Sequence, residues 1–169
     1  LKSELEKDGA IFQSNSDTEV ILHLLARAAG TTLEEQLPEA LAQVTGAYSL
    51  VILTPDALVA IRDPYGFRPL SLGRLGDAWI VASETCALDL LEAGFVRDVE
   101  PGELVFITAE GVRSIKPFPP KERLHCVFEY VYFSRPDSIL WGRNVHGVRM
   151  VLGHQLAREH PAQADIVIP

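Results

Sequence analysis

The sequence predicts an α+β fold built from layered, largely antiparallel sheets, and three observations carry that expectation. Apolar residues recur at helical spacing through the first 44 positions, and from Gly46 onward the period shortens to that of strands. The strand-like segments are short and are separated by turns rich in Gly, Pro and Asp. The composition is that of a globular chain: 169 residues, 47% hydrophobic and 22% charged, enough for one full core and marginal for two domains.

The opening LKSELEKDG reads as the tail of a helix stopped by Gly9. In SDTEV, Ser16 and Glu19 have the spacing of a capping box. Val20, Ile21, Leu24, Leu25 and Ala28 then follow at helical spacing until Gly30 closes the helix. A third helical stretch covers residues 33–44, where Pro38 is expected to begin a new first turn. YSLVIL and ALVAIR form a hairpin around Thr-Pro-Asp, and Asp63-Pro64-Tyr65-Gly66 is a turn before a short strand over residues 69–72. AWIVA is a strand, and Ser83 is expected to cap a helix over ALDLLEA that ends at Gly94. FVRDV, ELVFIT and VRSIK are three further strands. KPFPPKERL, with three prolines, is the linker candidate and puts a domain boundary near residue 118. Beyond it come the aromatic CVFEYVYFSRPDS and a helix carrying Val145, Val148, Val151, Leu152 and Leu156. The final ADIVIP reads as a buried strand opening an α/β unit.

Several functional classes are disfavoured. A net charge of −8 argues against a nonspecific nucleic-acid binder, because phosphate contacts need a basic face. The longest apolar runs are too short to span a membrane, and LKSELEKDG does not have the form of a signal peptide. Cys86 and Cys126 are too few for a disulfide framework or a complete metal site, so a reducing, cytoplasmic setting is expected. Leu1 opens the chain without a methionine, and the sequence is expected to be a piece of something longer.

Asp17 has two readings. A carboxylate at a helix start is favoured by unpaired N–H groups and the macrodipole, but Ser16 can take the cap and leave Asp17 free for a substrate cation. RDPYGFRPLSLG is either a rigid turn with Arg62 and Asp63 paired locally, or a device that presents the Arg68 guanidinium to a carboxylate or phosphate. Cys86, among Ala87 and Leu88, is expected to be a buried, inert thiol. Phe128, Tyr130, Tyr132 and Phe133 have the density of a core or a domain interface, with Arg135 in the adjoining turn free to pair. His146, His154 and His160 are not spaced as a metal pair.

Together SDTEVILHLL, GAYSLVIL, RDPYGFRPLSLG, VASETCALD, FVRDVEPGELV and FEYVYFSRPDS, in this order, resemble the glutamine phosphoribosylpyrophosphate amidotransferase (amidophosphoribosyltransferase) family. The run over residues 128–138 is the most specific. SDTEV and the Gly-Ala-Tyr stretch are similar across glutamine amidotransferases that use an N-terminal nucleophile. The resemblance implies a four-layer αββα glutaminase domain, present as its second part over residues 1–118. The start of an α/β type I phosphoribosyltransferase domain would follow over residues 119–169.

The resemblance also implies the chemistry. An N-terminal cysteine attacks the glutamine amide, and the released ammonia displaces pyrophosphate from phosphoribosyl pyrophosphate. The product, 5-phosphoribosylamine, is the first committed intermediate of purine synthesis. Neither Cys86 nor Cys126 occupies the nucleophile position, so this chain alone is expected to be inactive and to contain no catalytic residue. Asp17 matches the carboxylate that accepts from the α-ammonium of glutamine, with Ser16 beside it and Ser16 and Glu19 as the caps. Phe128 and Tyr132 match positions lining an ammonia passage, with Arg135 at the domain junction. Cys126 matches the first thiolate ligand of a [4Fe–4S] cluster in cluster-bearing members, and Mg2+ would bind in the whole enzyme through ligands outside this chain. The further implications are purine-nucleotide inhibitors, a homotetramer and a cytoplasmic location, with no nucleic acid and no membrane. A sugar-phosphate aminotransferase of the same glutaminase class and a catalytically dead binding module are the alternatives.

Overall fold

The computed structural model describes residues 1–166 and 168 and resolves into two compact units, residues 1–46 and the remainder. The first unit is helical: α1 (Lys2–Lys7), α2 (Thr18–Arg27) and α3 (Leu33–Leu41). Their apolar faces meet in one cluster, with Leu5, Leu24 and Ala40 buried and Phe12, Val20, Leu25 and Val44 packed around them. Gly9, at φ +88, follows the end of α1 where a left-handed residue was expected. Arg27, in the last turn of α2, ties the ends of α1 and α2 together by donating to the Asp8 carboxylate and to the carbonyls of Leu5 and Asp8.

Two helix starts differ from expectation. Asp17, not Ser16, is the N-cap of α2, and the Ser16–Glu19 capping box does not form. Glu19 instead turns back to accept from the N–H groups of Gln13 (2.7 Å) and Ser14 (2.9 Å) and from the Ser14 hydroxyl. Those bonds, the Gln13 amide first, hold its carboxyl below the usual carboxylate range. The capping box lies at α3, where Thr32 accepts from the Glu35 N–H and Glu35 accepts from the Thr32 N–H. Pro38 sits inside α3 and does not start a new turn.

The second unit pairs every strand antiparallel, as the blocks of strands implied. One sheet has the order β1 (Ser49–Leu53), β2 (Ala57–Arg62), β6 (Leu104–Thr108), β7 (Gly111–Ile115). The other has the order β4 (Ala78–Ala82), β3 (Ser71–Leu75), β5 (Gly94–Asp98). Ala60 and Val105 from the first sheet, Leu72 from the second, and Leu70 and Val99 form a buried cluster between them, with Trp79, Val81 and Ile107 packed on it. Helix α4 (Thr85–Leu90) lies on β4 and β5. Its Leu88 occupies the space that a Cβ on Gly73 of β3 would need, which explains a glycine inside a strand. The N-cap of α4 is Glu84, not Ser83, and it makes no side-chain cap bond. Its carboxylate is engaged elsewhere.

After the proline-rich stretch the chain forms a π-helical turn (Glu129–Phe133), a small hairpin of β8 (Ile139–Leu140) and β9 (Arg143–Asn144), and α5 (Val145–Glu159). Arg149 of α5 donates to the carbonyls of Tyr130 (2.6 Å) and Ser134 (2.8 Å), capping the wide turn. The aromatics there are not core: Phe128, Tyr132 and Phe133 are each at least half exposed. The terminal strand expected over residues 164–169 does not form among the described residues, where Ile166 and Ile168 are exposed; Val167 and Pro169 lie outside them. His146, His154 and His160 are solvent-exposed.

Candidate functional site

In the helical unit the predicted substrate contacts sit at the start of α2. The Asp17 carboxylate is exposed and accepts no cap bond, and no described residue offers it a hydrogen bond or an ion pair. The Ser16 and Thr18 hydroxyls bond each other at 2.5 Å, so they do not consume it. A carboxylate at a helix N-terminus, unclaimed by its own chain, suits an incoming ammonium.

In the sandwich unit the RDPYGFRP loop is rigid, but not through a local Arg62–Asp63 pair. The Arg62 side chain is 2% exposed and donates to three carbonyls: Arg68 (2.8 Å), Val99 (2.7 Å) and Gly66 (2.9 Å). Burial lowers its pKa, and the Asp98 and Asp63 carboxylates oppose that. Asp63, fully buried, instead accepts from the N–H groups of Tyr65, Gly66 and Phe67 at 2.9–3.1 Å. Gly66 has φ +65, and a Cβ there would come within 2.7 Å of Pro101, so the turn is closed to side chains.

This loop and the start of α4 hold the segment that follows the prolines. The Tyr65 and Phe67 carbonyls accept from the N–H groups of Leu124 and Cys126. Glu84 Oε2 accepts from the Arg135 N–H (2.8 Å) and the Ser138 hydroxyl (2.7 Å), and Thr85 accepts from the Ile139 N–H. Arg68 reaches across as well. Its Nε lies 2.6 Å from Glu129 Oε1, and its guanidinium covers the Phe133 ring at 4.3 Å. The group opposite the Arg68 guanidinium is thus a carboxylate of its own chain. The contact is an ion pair to a buried oxygen. The guanidinium meets the charge of a carboxylate that is 2% exposed.

Phe128 and Tyr132 flank Phe133 at centroid distances of 6.1 and 5.9 Å, so the structure gathers these rings around the Arg68 contact. Arg135 is not free: its guanidinium is bidentate to Asp137, with both bonds at 3.0 Å, and its amide belongs to Glu84. Cys126 is a half-buried free thiol, while Cys86 is buried in α4 as expected. Among the described residues no group of three or more His, Cys, Asp or Glu side chains could hold a metal. Sequence reasoning missed Glu129 and Glu84. A lone acid inside an aromatic run was the available signal, because burial there demands a cationic partner.

The model of the glutamine amidotransferase domain matches residues 1–90. The chain belongs to that family. Among its relatives is the amidophosphoribosyltransferase of Bacillus subtilis (strain 168), 47% identical over 167 residues, covering 99% of this chain and 35% of that protein. The enzyme of the same name from Mycobacterium leprae (strain TN) is 53% identical over 156 residues, covering 92% and 28% respectively. A solved structure of the B. subtilis glutamine phosphoribosylpyrophosphate amidotransferase, complexed with ADP and GMP, superposes with a TM-score of 0.93 at 47% identity. It covers 97% of this chain and 36% of that one. The chain therefore spans about a third of the length of the curated relatives it matches. For this amidotransferase-family chain the expected α+β class holds, and no helix among its described residues is long and apolar enough to cross a membrane.

Proposed function

We propose that the chain is part of an enzyme that moves the amide nitrogen of glutamine onto phosphoribosyl pyrophosphate, yielding 5-phosphoribosylamine, glutamate and pyrophosphate. The observation that carries this reading is the 47% identity over 99% of the chain to an amidophosphoribosyltransferase. In this reading a cysteine thiolate attacks the glutamine side-chain carbonyl and ammonia departs. Water then releases glutamate from the thioester. Neither cysteine here fits the nucleophile, since Cys86 is buried in α4 and Cys126 follows the proline segment. The chain's contribution is recognition and transfer. Asp17 takes the α-ammonium of glutamine, with the Ser16 hydroxyl beside it. Phe128 and Tyr132 line the route of ammonia, and Arg135 sits at the junction through its amide bond to Glu84. Incubating the full-length protein with both substrates tests the proposal: glutamate and phosphoribosylamine must appear together and depend on each other's co-substrate.

Tyr132 is 77% exposed and packs edge-on to Phe133, so removing its ring opens the route and leaves the fold intact. In the full-length protein, Tyr132→Ala is expected to raise the ratio of glutamate to phosphoribosylamine above one. A ratio equal to the parent's would make Tyr132 a packing residue.

Purine nucleotides are proposed as inhibitors, supported by the ADP and GMP in the B. subtilis complex; a homotetramer and a cytoplasmic location complete the proposal. A [4Fe–4S] cluster needs four thiolates, of which this chain supplies at most Cys126. Its half-buried position leaves the sulfur reachable, so one corner of a cluster fits; the cluster would tie the segment after the prolines to distant parts of the polypeptide. Mg2+ would sit with the pyrophosphate, on residues outside this chain. Full-length protein purified without oxygen should hold about four iron per chain and lose it on Cys126→Ser. Iron-free, active protein would leave Cys126 as packing.

A further inference from the structure

Glu19 serves the loop that leads into Asp17 and not its own helix. Its Oε1 accepts from the Gln13 N–H at 2.7 Å, and its Oε2 from the Ser14 N–H at 2.9 Å and the Ser14 hydroxyl at 2.6 Å. The Ser14 oxygen in turn accepts from the Ser16 N–H at 3.2 Å. Four hydrogen bonds thus brace the loop from Gln13 to Ser16 against the first turn of α2. Asp17 follows at φ −67 and ψ −27, already helical. An N-cap carboxylate ordinarily sits on extended backbone and accepts from the N–H two or three residues on. Here those N–H groups, of Glu19 and Val20, are taken by the carbonyls of Ser16 (3.3 Å) and Asp17 (3.2 Å). The two donors that would draw the Asp17 side chain inward are occupied.

We propose that Glu19, acting with Ser14, is a positioning residue of the glutamine site: it holds the loop in the path that keeps Asp17 helical and its carboxylate unclaimed. The inference rests on the reading of Asp17 as acceptor of the α-ammonium and adds the device that prepares it. Without the brace, Asp17 relaxes to extended backbone and its carboxylate folds onto its own helix as an ordinary cap. The substrate ammonium then competes with that cap. Only molecules with Asp17 released bind glutamine, so affinity falls by the released fraction while the steps after binding are untouched.

The test uses full-length protein and glutamine kinetics. Glu19→Gln keeps the length but sets an NH2 group against an N–H donor, so the brace loses at least one bond. It should raise KM for glutamine by about fivefold, the advantage of a capping carboxylate over a free one, with kcat near the parent's. Ser14→Ala cuts the same brace at an exposed hydroxyl and must move KM in the same direction, even if the first variant folds poorly. A double-mutant cycle with Asp17→Ala, which leaves no carboxylate to capture, decides the route. If Glu19 acts through Asp17, the effect of Glu19→Gln on glutamine use disappears in the Asp17→Ala background. An effect that persists there undiminished would overturn the proposal, as would a parental KM in both brace variants. A fall in kcat at parental KM would overturn it too, because a brace on the binding carboxylate does not act after binding. If Asp17→Ala alone leaves glutamine use at the parental level, the reading of Asp17 fails and the proposal with it, a result recognisable from that single variant.

Discussion

Arg62→Met is expected to destabilise the sandwich by roughly 3–5 kcal/mol. Methionine matches the length of the stem but donates nothing. The carbonyls of Gly66 and Val99 would be left buried and unpaired, and that of Arg68 partly so. Each such group costs on the order of 1–3 kcal/mol. Asp63 would also lose a nearby cation while still buried. Arg62→Lys should recover only part of the loss, since one ammonium cannot reproduce a planar fork aimed at three carbonyls. Denaturant unfolding of the parent and both variants, followed by tryptophan fluorescence, checks this. Equal midpoints for arginine and methionine would show that the loop holds itself.

Asp17→Asn in the full-length protein is expected to lower glutamine-driven turnover by roughly ten- to a hundredfold, the scale set by removing one charge-assisted hydrogen bond to the substrate. Ammonium-driven synthesis should hardly change, because it bypasses glutamine. The structure strengthens the contrast: Asp17 makes no cap bond that asparagine could forfeit, so a folding effect should be small. Steady-state rates with the two nitrogen sources give the answer. An equal fall in both would assign Asp17 to the helix start after all.

The sequence revealed the strands because their alternation and turn residues are local. Six of the seven strands of the two sheets fall within a residue or two of the segments quoted from sequence, including the hairpin around Thr54, Pro55 and Asp56, while β3 (Ser71–Leu75) begins two and ends three residues later than the expected 69–72. The helix caps were less legible. Ser16–Glu19 and Thr32–Glu35 carry the same spacing, and only the three-dimensional path of residues 13–14 decides that Glu19 turns backward. Pro38 sits inside α3 because its missing N–H is tolerated once the helix is held by packing on α2. In the site, Asp17 could be singled out by type and position. Glu84 could not, because its partners are about 50 residues away and leave no local pattern; Glu129 stood out only as a lone acid among aromatics, with its Arg68 partner about 60 residues away. Arg62 is the clearest case. Sequence proximity pointed to Asp63, whereas a planar guanidinium in a closed turn finds carbonyls instead.

The backbone bonds from Leu124 and Cys126 to Tyr65 and Phe67 bear on how this part of the molecule can bend. Three prolines in KPFPPKERL suggest a hinge, yet the chain is fastened again as soon as the prolines end, to a loop that Arg62 and Asp63 have already made stiff. A hinge needs a free side. Here the strap is anchored at both ends to one rigid body, β7 before it and the loop after it. The fastening continues through the Glu84 and Thr85 bonds, and Arg149 of α5 closes it on the π-helical turn. The prolines therefore set the length and path of the crossing, and the bonds that follow them keep this stretch from acting as a hinge.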